Sequence, residues 1–396
     1  MRKILVAYLN LYGSIKKIIW KLQGKTPADK IDQRIIEHQA WNEFCDSLKS
    51  AGNNLYFGAA PQDAFNQAEG LRYLSRLTRA GLEGFLEFSD PGFPILRHMV
   101  GPTIKMGADN PDNHYLNAKI SGDYEYKIIG KRNSIHYVGF FTQNGSYGTS
   151  GGLQPCDVLE GTDLVLEDDG SFEVTLSKEK KGKNWLKIED ETSLLMVRQT
   201  FMHRDTEVPI EARLETVNGK PHPDNLTSEH VNDSLNMAGL FVAGASHLFA
   251  RWSNGFTKHA NKLPLFDPKV SNDAGGDNSI TYYHSYWQLA EDEALVVEST
   301  IPDCDHWNFQ LNNYWMESLD YRYFQICVNK GNGVLQENGT VKVIVSAKDP
   351  KIPNTNWLDT AGHDQGTMCW RWYRSVLPHE ENPEPECKVV KLNELV

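Results

Sequence analysis

The spacing of apolar residues changes character several times along the chain, and each change marks a predicted element. Up to residue 90 the apolar positions recur at every third or fourth residue, the period of an amphipathic helix. "ADKIDQRIIEHQAWNEFCDSLKSAG" is such a segment and stops at Gly52; "PQDAFNQAEGLRYLSRLTRAGLEGFLEF" is another, with Pro61 and Asp63 at its start. Near the N-terminus Ile4, Leu5, Tyr8, Leu11, Ile15, Ile18, Ile19 and Leu22 keep the same period. That predicts an amphipathic helix over residues 1–22, packed on the domain or on a partner subunit. A peripheral membrane contact is the second reading of this segment, because Lys16, Lys17 and Lys21 flank the apolar stripe.

From Pro91 the period drops to two. "NAKISGDYEYKIIGK", "IHYVGFFTQNG", "LVLEDDGSFEVTLS" and "SLLMVRQTF" read as half-buried strands, with "SGD" and "DDG" as hairpin turns. "SEHVNDSLNMAGLFVAGASHLFARWSNGF" returns to the helical period, and residues 280–375 return to strands. The predicted organisation is a helical N-terminal region (1–90), a first β module (91–222), a helical connector (223–279), a second β module (280–378) and a C-terminal tail (379–396).

The two β modules resemble each other. "DDGSFEVTLSKEKKGKNWLKIEDETSLLMVRQTF" (168–201) and "ENGTVKVIVSAKDPKIPNTNWLDTAGHDQGTMCWRWY" (337–373) share an ordered series of features. Each has a turn with glycine, an alternating strand ending in Ser177 or Ser346, a polar loop, Asn-Trp-Leu (184–186 or 356–358) and an apolar strand carrying Arg198 or Arg371. Upstream, "IHYVGFF" aligns with "DHWNFQL", setting His136 against His306. An internal repeat of this kind predicts a mainly β protein of two tandem antiparallel β-sandwich modules, jelly-roll-like and joined by helices.

"NPDNHYLNAKISGDYEYKIIGKRNSIHYVGF" and "NNYWMESLDYRYFQICVNKGNG", continued by "VKVIVSAKDPKIPNTNWLDTAGHDQGTMCWRW", resemble the DUF1214 family of uncharacterised bacterial proteins. The resemblance spans residues 95–375 and implies a double jelly-roll fold. Members are often paired with a DUF1254 domain, whose pattern the helical first 90 residues lack. No catalytic residues carry over, so the resemblance implies fold and not chemistry.

Composition narrows the function classes. With 40 basic and 52 acidic residues the net charge is −12, which argues against nucleic acid as the partner. The six cysteines form no CxxC pair, and a reducing, cytoplasmic location is expected. No stretch is long enough to span a bilayer. Nucleotide, GxSxG and HExxH motifs are missing, the Asp/Asn-rich "GADNPDNHY" lacks EF-hand spacing, and no cofactor is expected.

Four constellations are candidates for chemistry. In "WMESLDYR", Glu317 and Asp320 are a potential acid–base pair and Arg322 an anion clamp, with Trp315 and Tyr321 as a ring-binding surface. The plain alternative is a turn with solvated carboxylates and a local ion pair. In "PDCDHWNF", Asp303, Asp305 and His306 could meet a ligand or a cation, although the repeat favours a structural histidine. His284 and His247 lie among aromatics and either line a pocket or simply pack. Finally, Asp359 and His363 in "NWLDTAGHDQG" are four residues apart. Lys187 stands at the place of Asp359 in the first module, so the pair is either a function gained by the second module or ordinary turn chemistry.

Two function classes follow. One is an enzyme, a hydrolase or lyase, acting on a small hydrophobic or ring-bearing molecule in an aromatic-lined cleft. Its acid–base groups would be Asp359, His363, Asp320 and Glu317, and its substrate contacts Arg322, Trp315, Tyr321 and His306. The other is a non-catalytic ligand-binding protein or a homo-oligomeric assembly protein.

Overall fold

The computed structural model describes residues 26–145, 153–273 and 276–395. The amphipathic segment expected over residues 1–22 lies outside the described residues. Three helices lead the described chain: α1 (Pro27–Ile36), α2 (Gln39–Ala51) and α3 (Ala64–Leu82). Each helix start has a chemical reason. Thr26 caps α1 in a reciprocal box with Asp29, with Pro27 in the first turn, and Asp63 caps α3 by accepting from the Asn66 amide. The helical connector is a single long helix, α4 (Ser228–Phe256), capped by Thr227. It turns Leu235, Ala238, Val242 and Phe256 inward. Gly81 lets α3 approach α4 closely, because a Cβ there would stand 3.3 Å from the Ala238 carbonyl oxygen. A short helix, α5 (Pro268–Asp273), precedes the second set of strands.

Among the described residues sixteen strands form four four-stranded sheets. In the first module β1 (Asn113–Lys119), β7 (Thr192–Thr200), β3 (Tyr137–Gly145) and β4 (Leu153–Glu160) make one sheet in that order. The facing sheet runs β6 (Trp185–Lys187), β5 (Ser171–Ser177), β2 (Tyr126–Lys131), β8 (Glu211–Thr216). In the second module β9 (Ile280–Gln288), β15 (Gln365–Tyr373), β11 (His306–Leu311) and β12 (Cys327–Asn329) make one sheet. Its facing sheet runs β14 (Asn356–Asp359), β13 (Val341–Ser346), β10 (Glu293–Ser299), β16 (Glu386–Lys391). Counted within each module, the two strand orders correspond position for position. The C-terminal tail supplies β16, where "KVVKL" reads as a short strand from sequence, and it pairs with β10. Each module also holds one parallel pair, β5 with β6 and β13 with β14, where antiparallel pairing throughout is expected from sequence. The polar loops 178–184 and 347–355 carry the chain back alongside the strand it has just left.

The two sheets of each module bury their facing residues in one cluster, as in a sandwich. Val138, Phe140 and Val197 meet Ile128, Val174 and Leu186 in the first. In the second, Trp307, Phe309, Met368, Trp370 and Trp372 meet Leu295, Val343 and Leu358. The expected one-sided face of Met368, Trp370 and Trp372 is therefore the core face, with Trp307 stacked on Trp370 at 5.6 Å.

The correspondence extends to hydrogen bonds. Asn184 Nδ2 donates to the carbonyls of Val165 and Glu173, and its Oδ1 accepts from the Val165 amide. Asn356 does the same with Val334 and Lys342. Trp185 Nε1 donates to Ser177 Oγ, and Trp357 Nε1 to Ser346 Oγ. The Asn-Trp pair thus ties a loop to the strand beside it in both modules. The strand register corrects one equivalence drawn from sequence. Tyr137 lies opposite Thr200 and His306 opposite Tyr373, so His306 corresponds to Tyr137 and not to His136. The inward residues Val138 and Trp307 must match, and a slip of one residue would turn that face outward.

Replacing Asn356 by Leu leaves backbone groups at a buried site without partners and is expected to cost about 2–3 kcal/mol in chemical denaturation. Asn184 is less buried, and Asn184→Leu is expected to cost less.

Candidate functional site

Asp359, His363, Asp320 and Glu317 do not converge on one point. Asp359 ends β14, where its Oδ1 accepts from the Ala361 amide at 2.7 Å. This is an Asx turn, which lets Ala361 and Gly362 adopt positive φ. Asp320 is held by Arg322 in a two-bonded fork at 2.8 and 2.7 Å, which lowers its carboxyl below the ordinary range. Arg322 is thereby occupied within its own turn.

Glu317 and His363 do join one network, through residues of α3. His363 Nε2 lies 2.6 Å from Glu69 Oε2, and its Nδ1 faces the carbonyls of Thr360 and Ala361. Both ring nitrogens are engaged by protein oxygens, so His363 serves the docking of α3. Asn313 Nδ2 bridges Glu69 and Glu317 at 3.0 and 2.9 Å, and Arg76 pairs with Glu317 at 2.6 Å. Burial pushes the Glu317 carboxyl up, and Arg76 and Asn313 offset this only in part. Burial opposes ionisation of Glu69 as well, but His363, Asn313 and Arg72 outweigh it and hold the carboxyl below its usual range. The network fastens α3 to the second module. His363, Thr360 and Asp364 also line a small pocket of about 190 Å³.

The other expected contact residues are similarly engaged. Trp315 is buried among the helices, lies over Gly70 and donates to the Asn66 carbonyl at 3.1 Å. Tyr321 is faced by the Lys105 ammonium and the Arg204 guanidinium, 4.7 and 5.3 Å from its ring centre. His306 is buried beside Asp112 at 3.3 Å. Among the described residues no three His, Cys, Asp or Glu side chains cluster as metal ligands.

A larger cavity lies elsewhere, in the seam between the two modules under α4. It has a volume of about 440 Å³, in the range typical of small-molecule sites. The outer faces of β1 and β7 supply one wall and those of β9 and β15 another, and α4 roofs it with Phe241, Leu248, Phe249 and Trp252. Leu240 also lines it and is 49% exposed, which marks the mouth. None of the eight residues singled out above for catalysis or substrate contact lines this cavity.

The polar part of the cavity is built on the repeat. Arg198 lies opposite Tyr115 across β7 and β1, and Arg371 opposite Tyr282 across β15 and β9. All four line the cavity, with Tyr373 and His284 beside them. Both arginines are buried. Arg198 Nη1 is paired with Asp277, whose carboxylate also accepts from the amide and hydroxyl of Ser279. Burial works against the Asp277 charge, but Arg198 and Ser279 outweigh it and hold the carboxyl low. Burial, reinforced by Arg371, pushes the His284 ring down to about 3, so it is neutral at physiological pH. Arg198 Nε and His284 Nδ1 are buried without a protein partner. His284 fits the pocket-lining reading of the sequence, whereas His247 faces Asn54 outside the cavity. Sequence reasoning passed over Arg198 and Arg371 as site residues. The signal that could have found them is their matched place in the two repeats.

The Glu69 carboxyl titrates below its unfolded value in the folded protein, so its contribution is complete above that value, near pH 4.3, and lost as pH falls through the folded value. Glu69→Gln is therefore expected to destabilise the protein by about 1–3 kcal/mol at pH 7. In urea unfolding followed against pH, the gap between the variant and wild type should close as the solution is acidified to about pH 3.

The comparisons with known proteins agree with this picture and add no activity to it. The family model described as a protein of unknown function (DUF1214) matches residues 294–376. A crystal structure of an uncharacterised protein from Burkholderia cenocepacia is 44% identical, with a TM-score of 0.87, covering 92% of this chain and 99% of that one. A structure from Vibrio parahaemolyticus covers 82% of this chain and 98% of that one at 11% identity and a TM-score of 0.46, too distant to carry an argument. No curated protein matches. The residues matched, and the relative nearly half identical over its whole length, place this chain in the DUF1214 family.

Proposed function

We propose that this protein binds a small molecule with a hydrophobic or ring-bearing body in the cavity between its two β modules. The observation that carries the reading is the cavity itself: 440 Å³, aromatic and aliphatic on the α4 side, with buried polar groups gathered at the seam. Such a division suits a ligand whose body is apolar and whose orientation is set by few polar contacts. The matched strand orders support reading the two sheet pairs as tandem copies of one module, with the binding site at their junction.

Binding is favoured over hydrolysis or elimination through Asp320, Glu317, Asp359 and His363. These groups are engaged in a local ion pair, an Asx turn and the network that docks α3. Among the described residues no free acid–base pair faces the 440 Å³ cavity: burial leaves His284 too weak a base to hold a proton, and Asp109 is bonded to the amide and hydroxyl of Ser318.

Gly244 offers a direct test. It lies on the cavity wall in α4, and a Cβ there meets no atom within 4 Å. Gly244→Trp adds a ring to the cavity wall from a Cβ position that has open space, and it removes a helix-interior glycine, which favours the helix by a few tenths of a kcal/mol. The uncharged dye N-phenyl-1-naphthylamine is expected to brighten on binding the wild type. The variant should keep or raise its melting temperature and lose most of that dye binding. Unchanged binding in a folded variant would remove the cavity from consideration.

A further inference from the structure

The two arginines of the cavity are equivalent in the repeat but not in charge balance. Arg198 has a buried carboxylate of its own, Asp277. Arg371 has none: its Nη1 donates to the side-chain oxygens of Gln310 and Asn308, and its Nη2 to the Ala108 carbonyl at 2.6 Å. One face of the guanidinium lies near the Tyr282 ring, 5.8 Å from its centre. Every one of these partners is neutral. Among the described residues no carboxylate forms an ion pair with Arg371.

The groups around Arg371 do not supply the missing charge. His284 is neutral. Asp109 turns its oxygens to Ser318, beside the Lys105 ammonium. Asp112 is reached only through Asn308, and its oxygens are taken by Asn308, Asn329 and His306. Arg371 is 4% exposed, and a buried cation is costly unless an anion meets it. The same end of the cavity also holds the unpartnered Nδ1 of His284.

We propose that the molecule held in this cavity carries one compact anionic group, of the carboxylate type, which docks on Arg371. The inference rests on the cavity being a ligand site and adds the class of ligand. A planar guanidinium already held in place by three neutral oxygens is preorganised for such a group, so little ordering cost remains on binding. In the first module Asp277 already balances the charge of Arg198, although its Nε is left without a partner.

The test compares two probes with one body, naphthalene-2-carboxylate and 2-naphthylmethanol, by calorimetric titration of the full chain. Wild type is expected to favour the acid by about tenfold or more, as a charge-assisted hydrogen bond would. Arg371→Gln should abolish that preference while still binding the alcohol, and Arg371→Lys should restore part of it. Arg371→Gln removes a buried charge but also the donors to Gln310, Asn308 and Ala108, so the melting temperature of each variant without ligand is measured to show that it is folded. Equal affinity of wild type for acid and alcohol would overturn the anion and leave the cavity standing. A preference that survives Arg371→Gln would overturn the assignment to Arg371. Loss of both probes in a destabilised Arg371→Gln, unrelieved by Arg371→Lys, would make the residue structural and overturn the proposal. Failure of wild type to bind either probe would overturn it together with the reading on which it rests.

Discussion

Two guanidinium groups buried in one seam are the constraint around which this molecule is arranged. Strands β7 and β15 each turn an arginine away from their own sandwich core and toward the other module. A buried cation must find acceptors. Arg198 finds Asp277 from the segment leading into β9, and Arg371 finds Gln310 and the Ala108 carbonyl. Those contacts draw the linker before β1, the segment before β9 and the strands of both modules to the same place. The apolar face of α4 closes the space they leave, and the cavity is the result.

The rest of the helical layer is fixed by a different piece of chemistry. Glu69 on α3 meets His363 from the loop after β14, and Asn313 carries the network on to Glu317 and Arg76. The first module has Lys187 where the second has Asp359, and both pair with the serine that ends the preceding strand, Ser177 or Ser346. What the second module adds after that point is the turn that delivers His363 to α3. The two modules therefore differ structurally at this loop and electrostatically at the arginines, where Arg198 has a carboxylate partner and Arg371 has none among the described residues.

Much of this architecture is legible in the sequence. Period-two runs, glycine turns and the repeated Asn-Trp-Leu lead to the β modules, because alternation and turn chemistry are local properties of the chain. The helical stripe of residues 228–256 is legible for the same reason. The register of β11 against its counterpart β3 is less so, since His136 and His306 align by letter while the buried faces align Tyr137 with His306. The candidate site is hardly legible at all. Carboxylates near one another in sequence, such as Glu317 and Asp320, point to different partners, Arg76 and Arg322. The cavity depends on outer strand faces meeting across two modules, and no spacing along the chain reports that. Its traces were His284 among aromatic residues and the arginine repeated in β7 and β15.

If the seam between the modules is a ligand site with its polar end at Arg371, a bound acid must lie in one orientation. A crystal structure with bound 6-bromo-2-naphthoate reads that orientation, because the anomalous signal of bromine locates one end of the probe. One dominant peak is expected among the α4 side chains Phe241, Leu248 and Trp252, with the carboxylate on the Arg371 guanidinium. Bromine located instead at the small pocket beside His363, or bound with the carboxylate turned away from Arg371, would contradict it.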